Sequence, residues 1–142
     1  MNIYFSCSIT GGRRDQHLYQ ALVQALLADG HRVPTAHLSS SDVMALEEVV
    51  DPQETYARDV AWVTGCDALV AEVSTPSHGV GYEIALALGL SKPVICCYQQ
   101  GRRVSKMITG NTSPTLRVVE YRDSSELITR VRLFLDALEP AA

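Results

Sequence analysis

The feature that most constrains the fold of this chain is an alternation of short apolar runs with helical patterns. Five runs have the length and composition of β-strands, and they cover residues 3–7, 31–35, 68–73, 94–98 and 116–121. Apolar strands that alternate with helices form a parallel sheet that is covered on both faces. The sequence therefore predicts an α/β fold with a flavodoxin-like (Rossmann-like), doubly wound, five-stranded parallel sheet in the order 2-1-3-4-5.

Helical patterns fill the segments between these runs. Helices are predicted over residues 13–28, 52–64, 80–89 and 124–138, with a shorter one over 102–108. Gly30 is typical of the position just past a helix end, and Asp51-Pro52 is typical of an N-cap followed by proline at the first helical position. The polar segment 38–50 is predicted to be a loop that contains a short helical piece.

Composition excludes several classes of protein. A length of 142 residues suits one domain, 1–142, and a net charge of −4 with no basic block argues against a nucleic acid polymer as partner. No apolar run has the roughly 18–20 residues of a membrane span, and no signal segment is recognisable. We expect a cytoplasmic protein without metal or cofactor. Its cysteines lack metal-binding spacing and are predicted to be buried thiols: Cys7, Cys66, Cys96 and Cys97.

Two turns rich in hydroxyl groups and glycine follow the first and third predicted strands, at residues 6–12 and 74–81. The predicted topology brings both turns to the switch point of the sheet, where each precedes a helix N-terminus. Such a site can bind a phosphate, although tight packing without a ligand is the simpler explanation for either turn taken alone. Neither turn matches a dinucleotide or ATP fingerprint, so those ligands are disfavoured.

Two carboxylates are candidates for chemistry. Glu83 begins a helix whose next residues, 84–88, are wholly apolar, which places Glu83 at the edge of the sheet. The alternative is an acid stabilised by the helix dipole. Asp59 adjoins an apolar helix face, so it is paired, functional or a boundary residue. Arg58 is expected to point away from Asp59, and Glu72 is expected to be buried and paired.

Histidines and the other basic residues give weaker signals. His37 follows the second predicted strand and could edge a ligand pocket, whereas His78 is expected to be a solvated loop residue. Solvent exposure is also the simplest expectation for a basic cluster near the predicted short helix: Arg102, Arg103 and Lys106.

Four segments together resemble a known family, namely residues 4–13, 58–62, 67–74 and 76–83. They are similar to the 2′-deoxynucleoside 5′-monophosphate N-glycosidases, within the wider nucleoside 2-deoxyribosyltransferase group. The likeness extends over most of the chain. Its most specific part is Gly-Val-Gly-Tyr-Glu at 79–83, together with the first-strand motif.

The resemblance implies roles for individual residues. Glu83 matches the nucleophile that attacks C1′ of the sugar, Asp59 matches the acid that protonates the leaving base, and Tyr4 matches a phenol beside the reacting centre. Ile9 and His37 match residues that enclose the base. The 5′-phosphate cradle is matched by Ser8, Thr10, Gly11, Gly12, Ser77 and Gly79, with Ser105 reaching the phosphate across a homodimer interface.

The resemblance also implies the reaction, which is hydrolysis of the N-glycosidic bond to a free base and a sugar 5-phosphate. Relatives carry Gly and Arg where this chain has Cys7 and Thr10. The loss of that Arg implies either a lower affinity for phosphate or a replacement cation from Arg13 or Arg102. Preference for base, and for deoxyribose or ribose, stays open. The alternatives are a deoxyribosyltransferase that acts on unphosphorylated nucleosides and a non-catalytic nucleotide-binding module.

Overall fold

A computed structural model describes residues 1–9 and 14–140. Its strands are β1 (Ile3–Ser6), β2 (Ala68–Glu72), β3 (Val94–Gln99) and β4 (Leu116–Tyr121). Its α-helices are α1 (Gln16–Ala28), α2 (Val43–Glu48), α3 (Pro52–Gly65), α4 (His78–Gly89), α5 (Lys106–Thr109) and α6 (Ser124–Asp136), and a 3₁₀ helix covers Ala36–Ser39.

The four strands form one parallel sheet in the order β1-β2-β3-β4. Tyr4 pairs with Leu69 in the register of β1 and β2, and Ala71 pairs with Cys96 in that of β2 and β3. Parallel neighbours place the carboxyl ends of all strands at one edge of the sheet. The described residues that follow β1, 7–9, and those that follow β2, 73–77, therefore lie at this same edge.

The predicted five-strand order is wrong within the described residues. Segment 31–35 contributes only an isolated parallel bridge between Arg32 and Asn2. Two hydrogen bonds hold it, from Ile3 N to Arg32 O at 2.8 Å and from Arg32 N to Met1 O at 2.9 Å. Pro34 has no N–H to donate, so the ladder stops and the chain turns into the 3₁₀ helix.

Side chains of β1 alternate between the two faces of the sheet. Ile3 and Phe5 pack in the core that contains residues of α1 and α6. Tyr4 packs in the second core, with residues of α3 and α4. Because alternate residues share a face, Ser6 points to the α4 side with Tyr4. A polar pair from β1 is thereby placed under the start of α4.

Local capping fixes where the helices begin. The Asp51 carboxylate accepts hydrogen bonds from Gln53 N at 2.9 Å and Glu54 N at 3.4 Å, which confirms the predicted N-cap of α3. Ser77 caps α4 by accepting from Val80 N at 3.4 Å, so α4 starts two residues before the predicted boundary. Gly30, at φ 84°, follows the end of α1 as predicted.

Candidate active site

Glu83 lies near the start of α4 with its carboxylate partly buried. Ser6 Oγ donates a hydrogen bond to Glu83 Oε2 at 2.5 Å. Burial raises the pKa of the Glu83 carboxyl, and the bond from Ser6 opposes that effect. No described residue donates a hydrogen bond to the other oxygen, Oε1. Glu83 thus has one oxygen fixed and one oxygen available.

Tyr4 places a phenol beside this carboxylate. Its side chain is completely buried, and its hydroxyl makes no hydrogen bond of ordinary geometry to another described residue. Burial is the main cause that raises the pKa of Tyr4, and the negative charge of Glu83 adds to it. The phenol therefore stays neutral and keeps its proton as a donor next to Glu83.

Asp59 lines the same cavity as Glu83. This cavity has a volume of about 340 Å³ and lies between α3 and α4. The negative charge of Asp59 contributes to raising the pKa of Glu83, as expected for like charges facing one space. The remaining lining residues are Tyr56, Val60, Val63, His78, Gly79, Tyr82 and Leu86.

Arg58 points toward Asp59, so the sequence-based expectation for it was wrong. Its Nε donates to Asp59 Oδ1 at 2.8 Å, and its Nη2 lies 3.3 Å from both oxygens of Glu47. The guanidinium also lies 4.9 Å from the centroid of the Trp62 ring. The physical reason is contact between elements that are separate in sequence. Helix α2 brings Glu47 against α3, where it binds the Arg58 guanidinium. Trp62, one turn further along α3, supplies an aromatic face on which the Arg58 side chain packs.

His37 joins the same network from the 3₁₀ helix. Its Nε2 lies 2.7 Å from Glu47 Oε1, and its ring meets the Trp62 ring edge-on with centroids 6.1 Å apart. A chain of polar contacts therefore runs from His37 through Glu47 and Arg58 to Asp59. All of these side chains are partly buried, which strengthens their electrostatic coupling relative to open surface.

The N-terminus of α4 offers backbone donors next to the carboxylates. Helix geometry leaves the N–H groups of His78 and Gly79 without an intrahelical acceptor. Gly79 is exposed, and a Cβ there would meet only Ser77 Oγ, at 3.9 Å. The fold therefore does not require glycine at this position, whereas close approach of an anion to the backbone would.

A larger groove, of about 910 Å³, adjoins the α4 N-terminus on the side of α5. Ser77, His78 and Ser105 are among its lining residues. Ser105 is exposed and caps α5 by accepting from Met107 N at 3.2 Å. Ser77 and Ser105, both predicted to contact phosphate, thus border one groove of this chain.

Arg102 is paired rather than solvated, which corrects the expectation for the basic cluster. Its Nη2 lies 2.8 Å and 3.0 Å from the two oxygens of Asp15, whose side chain is buried. Gln99 Nε2, at 2.8 Å, and Thr75 Oγ1, at 3.1 Å, also donate to Asp15. Arg102 is therefore committed to this ion pair instead of being available to a phosphate. Arg103 and Lys106 are exposed, as expected.

Glu72 is buried and hydrogen-bonded, as the sequence predicted. Tyr121 donates its hydroxyl to Glu72 Oε1 at 3.0 Å, and the Ser74 hydroxyl donates to the same oxygen. Burial raises the pKa of Glu72 to about 7, against the effect of both hydrogen bonds. This carboxyl lies at the end of β2, and the cavity that contains Glu83 and Asp59 does not include it.

The remaining predicted site residues divide into two groups. Ser8 is buried, and Ile9 packs against the core on the α1 side of the sheet. Thr10, Gly11, Gly12 and the alternative phosphate donor Arg13 lie outside the described residues.

Ser6, Glu47 and Arg58 belong to the site although the sequence analysis gave none of them a role. Strand parity with Tyr4 could have identified Ser6. The environment of Glu47 and Arg58 is created by contacts between α2 and α3. The hydrophobic periodicity of the sequence does not predict such contacts.

The described part of the chain has neither a membrane-spanning helix nor a cluster of metal-binding side chains. Over residues 1–9 and 14–140, no helix is long and apolar enough to cross a membrane. The same ranges contain no group of three or more His, Cys, Asp or Glu side chains that could hold a metal ion. All four cysteines are buried thiols, as predicted.

Comparison with known proteins gives a consistent picture. Residues 3–124 match the sequence profile of the family described as nucleoside 2-deoxyribosyltransferase. A 5-hydroxymethyl-dUMP N-hydrolase from Danio rerio is 39% identical over 127 residues, which cover 87% of this chain and 88% of that protein. The enzyme of the same name from Mus musculus is 37% identical over 144 residues, with 98% and 82% covered.

A solved structure also resembles this one. The Clostridium botulinum CMP N-glycosidase BcmB superposes with a TM-score of 0.72 at 18% identity, covering 94% of this chain and 99% of the other. At that identity the likeness establishes a common Rossmann-like α/β fold with a parallel sheet.

Proposed function

Because the chain belongs to the nucleoside 2-deoxyribosyltransferase family, we propose that it is an enzyme that hydrolyses the N-glycosidic bond of nucleoside 5′-monophosphates. The products are a free base and ribose 5-phosphate or 2-deoxyribose 5-phosphate. The observation that carries the proposal is that Glu83 and Asp59 line one cavity whose wall includes the first turn of α4. Names of the similar proteins, which specify N-hydrolysis of a deoxynucleotide, agree with it.

Glu83 acts as the nucleophile in this proposal. Its available oxygen, Oε1, attacks C1′ and forms an ester to the sugar, while the electron pair of the N-glycosidic bond leaves with the base. Water then hydrolyses the ester and restores the carboxylate, as in retaining glycosidases. Ser6 holds the other oxygen, and the neutral phenol of Tyr4 donates toward the carboxylate as charge is redistributed.

Asp59 delivers the proton that the departing base needs. It faces the cavity from the helix opposite Glu83, so a sugar between them has one carboxyl group on each side. A base leaves as a neutral molecule only if it is protonated, and an acid positioned at the leaving nitrogen accelerates this step by about 10²–10⁴-fold. His37 and Ile9 remain candidates to enclose the base.

The phosphate binds at the start of α4 in this proposal. Unpaired helix N–H groups and the positive end of the helix dipole attract an anion. Ser77 and Gly79 contribute there, and the family resemblance adds Ser8, Thr10, Gly11 and Gly12. A phosphate anchor explains why the proposal favours nucleotides over the unphosphorylated nucleosides of a transferase.

We further propose a cytoplasmic homodimer in which Ser105 of one chain completes the phosphate site of its partner. Ser105 is exposed and lines the same groove as Ser77, so a second copy seated along α5 would bring another Ser105 to that groove. Analytical ultracentrifugation of the wild type and Ser105→Ala tests this part. A fully active monomer contradicts it.

A substrate panel tests the reaction itself. Purified protein is incubated with the common ribonucleoside and deoxyribonucleoside 5′-monophosphates, with 5-hydroxymethyl-dUMP, and with the matching nucleosides, and base release is measured by chromatography. We expect release from at least one nucleotide and far less from its nucleoside. Trapping of a glycosyl adduct on Glu83 by mass spectrometry is expected for the best substrate.

Other outcomes of the panel would contradict the proposed hydrolysis or support one of the alternative functions. No base release at high enzyme concentration contradicts the proposal. Transfer of the sugar between a nucleoside and an added base supports the transferase. Tight nucleotide binding that never leads to turnover supports a non-catalytic binding module.

A further inference from the structure

Asp59 has its two carboxylate oxygens in different environments. Oδ1 accepts a hydrogen bond from Arg58 Nε at 2.8 Å. No described residue donates a hydrogen bond to Oδ2, and the side chain borders the cavity shared with Glu83. One oxygen is therefore fixed by a cation, while the other accepts no hydrogen bond from a described residue, on a side chain that lines the cavity.

Arg58 is itself held in place by other groups. Glu47 accepts from its Nη2, and the Trp62 ring lies under its guanidinium. Arg58 has 26% of its side chain exposed and Glu47 has 16%, so the pair is partly withdrawn from solvent. Both negative partners raise the pKa of Arg58, although burial opposes them. Arg58 therefore stays charged throughout the pH range of catalysis.

The two partners of Arg58 compete for its charge. A cation next to Asp59 favours the ionised carboxylate, whereas the proposed acid must hold a proton. Glu47 lies on the other side of the guanidinium and neutralises part of that charge. Its carboxylate therefore reduces the positive charge that Asp59 experiences from Arg58.

Other titratable groups face Asp59 from the surrounding elements. Tyr4 faces it from β1. The same cavity is lined from α4 by Glu83, His78 and Tyr82, and from α3 itself by Tyr56. His37 lies beyond Glu47 and contacts it from the 3₁₀ helix. Of these groups and the Arg58–Glu47 pair, only Arg58 brings a permanent positive charge into direct contact with Asp59.

We propose that Arg58 and Glu47 are positioning residues that set the orientation and the charge environment of Asp59 for the N-glycosidase reaction. The inference rests on the proposed function. Arg58 fixes Oδ1 and so orients the carboxyl group that lines the cavity, and Glu47 limits the positive charge that Asp59 experiences. The two residues therefore place opposite charges near the same carboxyl group.

Matched neutral variants separate this role from simple structural support. Arg58→Gln keeps hydrogen-bonding groups and removes the positive charge, while Glu47→Gln keeps an acceptor and removes the negative charge. The alkaline limb of kcat/KM reports loss of the essential acid in the free enzyme. We expect it to move up by about one pH unit in Arg58→Gln and down in Glu47→Gln, as removal of a close charge predicts.

Two control variants show whether a displacement of the alkaline limb comes from the charge of Arg58. Arg58→Lys restores the charge and is expected to return the limb to its wild-type position. Arg132→Gln removes an arginine whose partner, Asp29, is exposed and far from the cavity, and it is expected to change nothing. Limbs that stay in place, or that move in the same direction in both neutral variants, overturn the inference.

A measurement without substrate distinguishes failure of the inference from failure of the proposed function. The titration midpoint of the Asp59 carboxyl is followed by ¹³C NMR in the wild type, Arg58→Gln and Glu47→Gln. Opposite displacements support the inference, and unchanged midpoints contradict it, whether or not any nucleotide is cleaved. If the midpoints move and no nucleotide releases base, the proposed function fails while the electrostatic coupling stands.

Discussion

At the scale of single residues, each proposed catalytic carboxyl group is subject to two opposing electrostatic effects from its surroundings. Burial raises the pKa of Glu83 and so disfavours the ionised form that a nucleophile requires, while the hydrogen bond from Ser6 lowers that pKa. Arg58 places a positive charge against Asp59, and Glu47 contacts the same guanidinium with a negative charge. Both roles therefore depend on these neighbours as well as on the carboxyl groups themselves.

Replacement of Glu83 by glutamine is expected to abolish activity and to stabilise the protein at neutral pH. Loss of a nucleophile lowers kcat by at least about three orders of magnitude. The native pKa of Glu83 lies above its unfolded value, so the native state binds more protons and stability falls as pH rises through that range. An uncharged glutamine removes this penalty above the raised pKa.

Thermal denaturation at about pH 8 and about pH 4 measures the stability effect of Glu83→Gln, which is expected only at the higher pH. Glu48→Gln is the control, because Glu48 is exposed on α2. An equal increase in Tm at both pH values would show that the gain does not come from the buried charge. Retained base release in Glu83→Gln would remove Glu83 as the nucleophile.

At the scale of elements, the start of α4 combines three properties that the sequence only suggested separately. Ser77 caps the helix, Gly79 leaves its backbone accessible, and Glu83 follows one turn later. The same short segment thus provides a proposed anion site and the proposed nucleophile. Their spacing is fixed by the helix, so a phosphate bound at one end sets where C1′ lies relative to Glu83.

Gly79→Ala tests this arrangement without disturbing the fold. A Cβ at Gly79 meets only Ser77 Oγ, at 3.9 Å, and alanine is favoured over glycine in a helix by up to about 1 kcal/mol. We expect an unchanged or higher Tm together with an increase in KM for the nucleotide of about tenfold or more, since one close backbone approach is lost.

Gly89→Ala is the matched control for this variant. Gly89 is the last residue of α4, and a Cβ there meets nothing within 4 Å. Its KM is expected to equal that of the wild type. Wild-type KM in Gly79→Ala as well would mean that the phosphate does not sit on this helix terminus.

At the scale of the whole molecule, the sequence predicted what depends on periodicity and missed what depends on distant contacts. Apolar alternation identified the strands β1 to β4 and the long helices, and Asp51-Pro52 identified the start of α3. The strand predicted at 31–35 is wrong, because Pro34 ends the hydrogen-bond ladder after the single bridge at Arg32. The partners of Arg58 and Arg102 required three-dimensional neighbours that no local pattern encodes.

Burial of Glu72 in the sheet is expected to make the free energy of unfolding of the whole chain depend on pH. Its native pKa of about 7 exceeds the ordinary value of 4.5, because burial at the end of β2 disfavours the charged form. The native state therefore binds more protons than the unfolded state between these values. The free energy of unfolding should fall as pH rises from about 4.5 to about 7 and then level off.

Glu72→Gln is expected to flatten this dependence. Glutamine still accepts from Tyr121 and Ser74 but carries no charge, so its free energy of unfolding relative to the wild type should rise by about 2 kcal/mol between about pH 5 and about pH 8. Urea denaturation at the two pH values measures it. Glu120→Gln, on the exposed side of β4, is the control and should follow the wild type. A parallel pH dependence in Glu72→Gln and the wild type would mean that Glu72 is ionised in the folded protein at every pH in this range, with its two hydroxyl donors fully compensating its burial.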